Sequence, residues 1–125
     1  MSTLAAKLGV KPGCRTLVVG PAPDSVVAEL SDPHRRPSSA PYDVIVAFCP
    51  HRKMLERHLS TLPGRLTTAG GLWLTWPKRS SGVATDIGEA DIRAEGLQTG
   101  LVDNKIAAID ETWSGLRFVR RTADR

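Results

Sequence analysis

The sequence is poor in aromatics: three Trp, one Tyr and two Phe in 125 residues. That supplies little for stacking bases and disfavours a nucleic-acid partner. Two cysteines are too few for a disulfide framework in a chain of this size. No apolar run reaches the ~20 residues of a membrane-spanning helix, so no membrane partner is expected. Met1 to Lys7 lacks the apolar stretch of a secretory signal, and the expected location is the cytoplasm. Walker-type spacing is missing. Cys49, His51 and His58 lack a fourth metal ligand at recognisable spacing, and no metal is expected.

What is present is ordinary in bulk. Hydrophobic residues make up 41% and charged residues 24%, as in many globular chains. There is no internal repeat and no dividing linker, so one α/β domain is expected over residues 1–125. The net charge is +4. Residues 1–65 hold nine Lys/Arg against five Asp/Glu, and residues 66–125 hold eight against eight. The excess lies in the first half, with Arg35-Arg36 and Arg52-Lys53. This permits contact with a small anionic ligand or an acidic protein segment.

Along the chain, Ser2 is placed to cap a short helix over Leu4, Ala5 and Leu8, closed by Gly9. Arg15 to Gly20 reads as a first buried strand. Pro21 and Pro23 break it, and Asp24 is placed to cap a helix through Val26, Val27 and Leu30. Residues 31–41 read as a Pro/Ser loop with at most a poor edge strand. Asp43 to Cys49 is apolar on both faces, as a central parallel strand should be. A helix over His51 to Leu62 follows, with Met54, Leu55, Leu59 and Leu62 on one face. Residues 65–69 read as a brief extension of it. Leu72 to Trp76 is the next buried strand. Thr85 or Asp86 is placed to cap a helix with an Ile87, Ala90, Ala94 and Leu97 stripe, ending at Gly100. Leu101 to Ile109 and Gly115 to Arg121 read as two closing strands. The alternation predicts a mainly parallel sheet with helices on both faces. The short last connection makes the final strand antiparallel to its neighbour.

Two resemblances follow from these residues. Tyr42-Asp43-Val44-Ile45-Val46, the helix, Leu62-Pro63-Gly64 and Gly70-Gly71-Leu72-Trp73-Leu74 resemble the fourth and fifth strands of the class I S-adenosylmethionine-dependent methyltransferases. The closing pair is similar to the terminal hairpin of that fold. The implied fold is a reduced, methyltransferase-like Rossmann sheet, cut down in its first half. The chain also resembles small bacterial proteins grouped as a domain of unknown function, number 3052. Leu8 to Gly13, Tyr42 to Val46, Trp76-Pro77-Lys78, Ser80 to Asp86 and Asp110 to Arg117 carry that resemblance. It implies a fold and no activity.

The cofactor parts of a methyltransferase are altered. Its Gly-rich turn after the first strand offers N–H donors to the ligand. Here the turn is Gly20-Pro21-Ala22-Pro23-Asp24, and its two prolines have no N–H to give. The acid expected after the second strand has only Asp32 to stand for it.

Lys78-Arg79-Ser80-Ser81-Gly82, ahead of a helix and after a strand, is the leading candidate as a phosphate or carboxylate cradle. The competing reading is a solvated loop that caps the helix. Asp110 to Ser114 is predicted at the same sheet edge, where Asp110 can accept from Lys78, Ser80 or Ser81 and Trp113 can form a wall. For Trp113 a core plug is the plainer reading. Arg117 is placed to pair with Asp110 or Glu111. Gly20 most simply serves turn geometry. Cys49 beside His51 invites a nucleophile, but a strand cysteine is usually a small buried hydrophobe.

The expected function is a non-catalytic binding or accessory protein with a degenerate cofactor site and no cofactor. Its candidate ligand residues are Gly20, Trp76, Lys78, Ser80, Ser81, Gly82, Thr85, Asp110, Trp113 and Ser114. The alternative is a divergent S-adenosylmethionine-dependent methyltransferase, or another small transferase, using the same crevice. Either a monomer or a homodimer fits the sequence.

Overall fold

The computed structural model describes residues 3–125. Ser2 as a helix cap lies outside the described residues. The chain runs α1 (Leu4–Leu8), β1 (Thr16–Val19), α2 (Asp24–Glu29), β2 (Tyr42–Phe48), α3 (Arg52–Thr61), β3 (Leu66–Pro77), α4 (Glu89–Gln98), β4 (Leu101–Ala108) and β5 (Trp113–Arg120). The strands form one sheet in the order β1-β2-β3-β5-β4. β1, β2 and β3 are mutually parallel, and β5 is antiparallel to both β3 and β4. The sheet is therefore α/β and Rossmann-like, as the alternation of elements predicts. No helix among the described residues is long and apolar enough to cross a membrane.

β2 shows why the central strands are apolar throughout. Ile45, Ala47 and Cys49 pack in one core with Leu55 and Leu62 of the α3 side and Ile92 of α4. Val44, Val46 and Phe48 pack in the other with Leu4, Leu8, Val26 and Leu30 of the α1/α2 side. Alternating side chains feed opposite faces, so both must be apolar.

Local differences from the sequence reading have local causes. Thr3 takes the α1 cap by accepting from the Ala6 N–H at 3.1 Å. Pro23 precedes α2 as its cap residue, and Asp24 is already helical. Residues 66–69 are strand, not helix, because β3 starts at Leu66 and pairs there with Tyr42 before an irregularity. Gly70 sits at that irregularity, where a side chain would crowd the Tyr42 and Asp43 carbonyls.

α4 departs furthest. It starts at Glu89 behind Gly88, not behind Thr85 or Asp86. Its buried residues are Ile92 and Gly96, while Ala94 and Leu97 are exposed. The Phe118 ring occupies the space a Gly96 side chain would need. The helix meets the sheet through a missing side chain, which an apolar-periodicity reading cannot register.

Candidate ligand site

The C-terminal ends of parallel strands are where open α/β sheets usually hold ligands. Here that edge carries Gly20 after β1, Cys49 after β2 and Lys78 after β3. β4 also runs toward it, bringing Ile109 to Thr112, and β5 leaves from it at Trp113.

The two loops singled out in the sequence do meet. The Lys78 N–H donates to the Thr112 carbonyl at 2.7 Å. The Lys78 ammonium donates to the Asp110 carbonyl, also at 2.7 Å. It is the main chain of Asp110 that receives Lys78. The Asp110 carboxylate instead accepts from the Thr112 and Trp113 N–H groups at 2.8 and 2.7 Å, an Asx turn that holds the hairpin.

The hydroxyls of the first loop divide. Ser81 Oγ donates to the Lys78 carbonyl at 2.6 Å and accepts from the Val83 N–H at 3.2 Å. Ser80 is exposed. Gly82 takes a left-handed conformation, φ 77°, to end the short turn Arg79–Ser81. Ser114 Oγ makes a long contact of 3.5 Å to the Ala107 carbonyl.

Beyond Gly82 the loop folds back on α3. Thr85 Oγ1 donates to the Pro50 carbonyl at 2.8 Å and accepts from Ile87 N–H. Asp86 Oδ1 accepts from the Arg52 N–H at 2.8 Å, so this acid caps α3 instead of α4. Asp91 accepts from the Gly88 N–H at 2.9 Å and from Arg52 Nη2 at 2.6 Å. The Gly88 N–H, then Arg52, hold its carboxyl below the usual carboxylate range. The N-terminus of α4 is thus served by the chain's own anion.

A groove of about 800 Å³ runs beside this loop, with Trp76 and Ile87 at its floor and Arg79, Asp86, Glu89 and Asp91 in its lining. Its carboxylates outnumber its cations. Of the candidate ligand residues, Trp76, Gly82 and Thr85 line it, whereas Gly20, Lys78, Ser80, Ser81, Asp110, Trp113 and Ser114 do not.

Both candidate tryptophans pack in the core: Trp76 also reaches the groove as expected, and Trp113 follows the plainer reading of a core plug. Trp76 is buried in the α3/α4 core. Trp113 is 8% exposed and meets the Phe48 ring edge-on, with centroids 5.0 Å apart. That edge-to-face contact places it over the end of β2 on the α1/α2 side.

The β1 end is closed by the chain itself. Gly20 has φ 87°, and a side chain there would overlap the Phe48 carbonyl. His34 bridges the outer edge of β1: its N–H donates to Thr16 O at 2.9 Å, and its carbonyl accepts from the Val18 N–H at 2.8 Å. Arg35 then lays its guanidinium on the turn, donating from Nε to Val18 O and from Nη2 to Gly20 O, both at 2.9 Å. Residues 31–41 supply a one-residue bridge and a cation where the fold's ribose acid was sought. The Arg35 role was missed, because Arg35 and Arg36 are both exposed and nothing local distinguishes them.

Cys49 is buried and its thiol contacts Ala47 O at 3.6 Å. Burial pushes its pKa to about 12, against a smaller opposing effect of the Thr75 backbone. It is a core hydrophobe, not a nucleophile. His51 caps α3, its Nδ1 accepting from the Met54 N–H at 3.3 Å. The described residues contain no cluster of His, Cys, Asp and Glu able to hold a metal. Arg117 pairs with neither Asp110 nor Glu111. It lies against Gly71, where any side chain would collide with its guanidinium. Burial, and then Arg125, lower its pKa.

No protein-family model and no curated protein matches the chain. Solved structures do. A ribosomal-protein methylase from Lactobacillus delbrueckii subsp. bulgaricus superposes with a TM-score of 0.60 at 13% identity, over 94% of this chain and 75% of that one. Fibrillarin from Aeropyrum pernix, with natively bound S-adenosylmethionine, gives 0.59 at 15% identity, over 93% and 73%. Magnesium protoporphyrin IX methyltransferase from Synechocystis, with bound S-adenosylmethionine, gives 0.58 at 16%, over 94% and 74%. At these identities the likeness is one of fold: the chain has a class I methyltransferase-like Rossmann sheet.

Proposed function

We propose that this chain is a non-catalytic binding protein built on a methyltransferase-like sheet whose cofactor end is filled by its own residues. Membership of the domain family numbered 3052 is part of this reading and rests on the motifs from Leu8 to Arg117. The observation that carries the proposal is the Arg35 guanidinium on the Val18 and Gly20 carbonyls. It lays a cation on the carbonyls of the turn after β1, from the segment in which the fold's ribose acid was sought. Pro21 and Pro23 leave that turn two N–H donors short.

The expected partner is an acidic protein segment. Among the described residues, all ion pairs involve Arg52 or Arg93. Arg15, Arg65, Arg120 and Arg125, gathered at the N-terminal end of the parallel strands, have no such partner. The groove beside α4, with its three carboxylates, suits an anion less well.

The rival is a divergent S-adenosylmethionine-dependent transferase, favoured by the shared fold of cofactor-bound neighbours. Calorimetric titration with S-adenosylmethionine and its demethylated product separates them. The proposal expects no binding tighter than about 100 μM, roughly 5.5 kcal/mol. Tighter binding of either compound overturns it.

A further inference from the structure

We propose that Ser38 is a phosphorylation site for a basophilic serine kinase, with Arg15 and Arg65 as the built-in receptors of the phosphate. This goes beyond the binding reading and does not depend on it. Two separate observations converge on this serine.

The first is the sequence Arg35-Arg36-Pro37-Ser38. Two cations at three and two residues before an acceptor hydroxyl are what an acidic kinase cleft selects by charge. The segment is an irregular loop in which Arg36, Pro37 and Ser39 are exposed and Ser38 is half-buried. Arg35 is held on β1, so the kinase must lift this loop from the sheet edge. Arg36 makes no side-chain hydrogen bond or ion pair among the described residues and offers the first contact.

The second is the ground prepared around the hydroxyl. Arg15 Nη2 donates to Ser38 Oγ at 2.6 Å, and Arg65 Nη1 donates to the Ser38 carbonyl at 3.3 Å. Arg15 is fixed further by its Nε on Pro41 O at 2.9 Å and by lying 4.6 Å from the Tyr42 ring centroid. The buried Tyr42 hydroxyl adds contacts to Ser38 N and Oγ at 3.0 and 3.2 Å. Two guanidinium groups therefore meet at one neutral residue, Arg15 on its hydroxyl and Arg65 on its carbonyl, and neither has an ion pair among the described residues. Asp43 is the acid bonded to this arginine's main chain; its oxygens accept from Arg15 N–H and Thr67 Oγ1.

In the modification, Ser38 Oγ attacks the γ-phosphorus of ATP. The bond from that phosphorus to the bridging oxygen of the β-phosphate breaks, the hydroxyl proton passes to the kinase's base, and ADP leaves. The product carries close to two negative charges between Arg15 and Arg65. New charge-assisted hydrogen bonds then tie residues 34–41 to the sheet.

The test uses the full chain, a basophilic serine kinase and ATP with Mg²⁺, with the site located by mass spectrometry. One phosphate is expected on Ser38, none in Ser38→Ala, and a rate lowered about tenfold or more in Arg36→Ala. Thermal melts of the product are expected to rise by about 3 °C, with most of that rise lost when Arg65→Ala carries the same phosphate. Phosphate on Ser39 instead, none on the folded chain, or an unaffected Arg36→Ala overturns the site. An unchanged or lowered melting temperature overturns the receptor role of Arg15 and Arg65.

Discussion

The end of β1 and the loop after β3 lie at the same edge of the sheet, yet they are built in opposite ways. The β1 end has few donors of its own and is closed by a distant side chain, Arg35. The loop from Lys78 to Gly88 is rich in donors and borders a groove, yet most of those donors are turned inward, to Asp110, Lys78 and Pro50. A donor-rich loop is therefore not by itself a cradle. What matters is which donors remain after the fold has satisfied its own carbonyls and helix ends.

Mutations can break this contrast. Trp113→Ala removes a buried ring packed edge-to-face with Phe48 and is expected to cost about 3 kcal/mol or more in urea unfolding. A loss under about 1 kcal/mol would return Trp113 to the role of a surface wall. Gly20→Ala forces a side chain into a left-handed backbone against the Phe48 carbonyl. It is expected to cost about 2 kcal/mol, and a neutral result in the same assay would mean that the β1 turn is loose. In the other region, Asp86→Ala takes the acceptor from the Arg52 N–H at the start of α3, beside the His51 cap, and should cost about 1 kcal/mol.

Lys78→Ala and Ser80→Ala sharpen the division within the loop. Loss of the Lys78 bond to Asp110 is expected to cost about 1 kcal/mol, whereas exposed Ser80 should stay within about 0.5 kcal/mol. Equal effects in thermal melts would erase the distinction between inward and free donors.

Stability also depends on pH through His58. Burial, offset in part by the Phe48 backbone and helped by Arg57, lowers the pKa of His58 from its ordinary 6.5. The unfolded chain then binds its proton at a higher pH than the folded chain does. Stability is complete above pH 6.5 and falls as acid takes the solution from there toward the lowered value. Denaturation midpoints between pH 7.5 and 5, compared with those of His58→Gln, are expected to show that slope only in the parent.

Much of the fold was legible, because strand and helix follow from composition and spacing that are local. Asp43 to Cys49 announced a two-faced strand, and Pro50 and Gly9 stopped their elements where the structure stops them. The antiparallel close followed from a short connection. α4 was misread because its stripe was phased from Ile87, which precedes the helix, whereas the buried face is Ile92 and Gly96, and Gly96 against Phe118 leaves no apolar signature. In the candidate site, the meeting of Lys78 with residues 110–112 followed from topology. Its meaning did not, since the Asp110 carboxylate is consumed by its own turn. The closure of β1 was illegible, because Arg35 acts fifteen residues away from Gly20.

The proposed closure of β1 in place of a cofactor site rests on Arg35. It is tested most directly by the NMR signal of the Arg35 Nε–H, observed alone and with about 1 mM S-adenosylmethionine, a concentration that would half-fill a site of only ~4 kcal/mol. A slowly exchanging Nε–H, unmoved by the addition along with the Gly20 amide, is the predicted result. A rapidly exchanging Arg35, with Gly20 shifting as the compound is added, would contradict it.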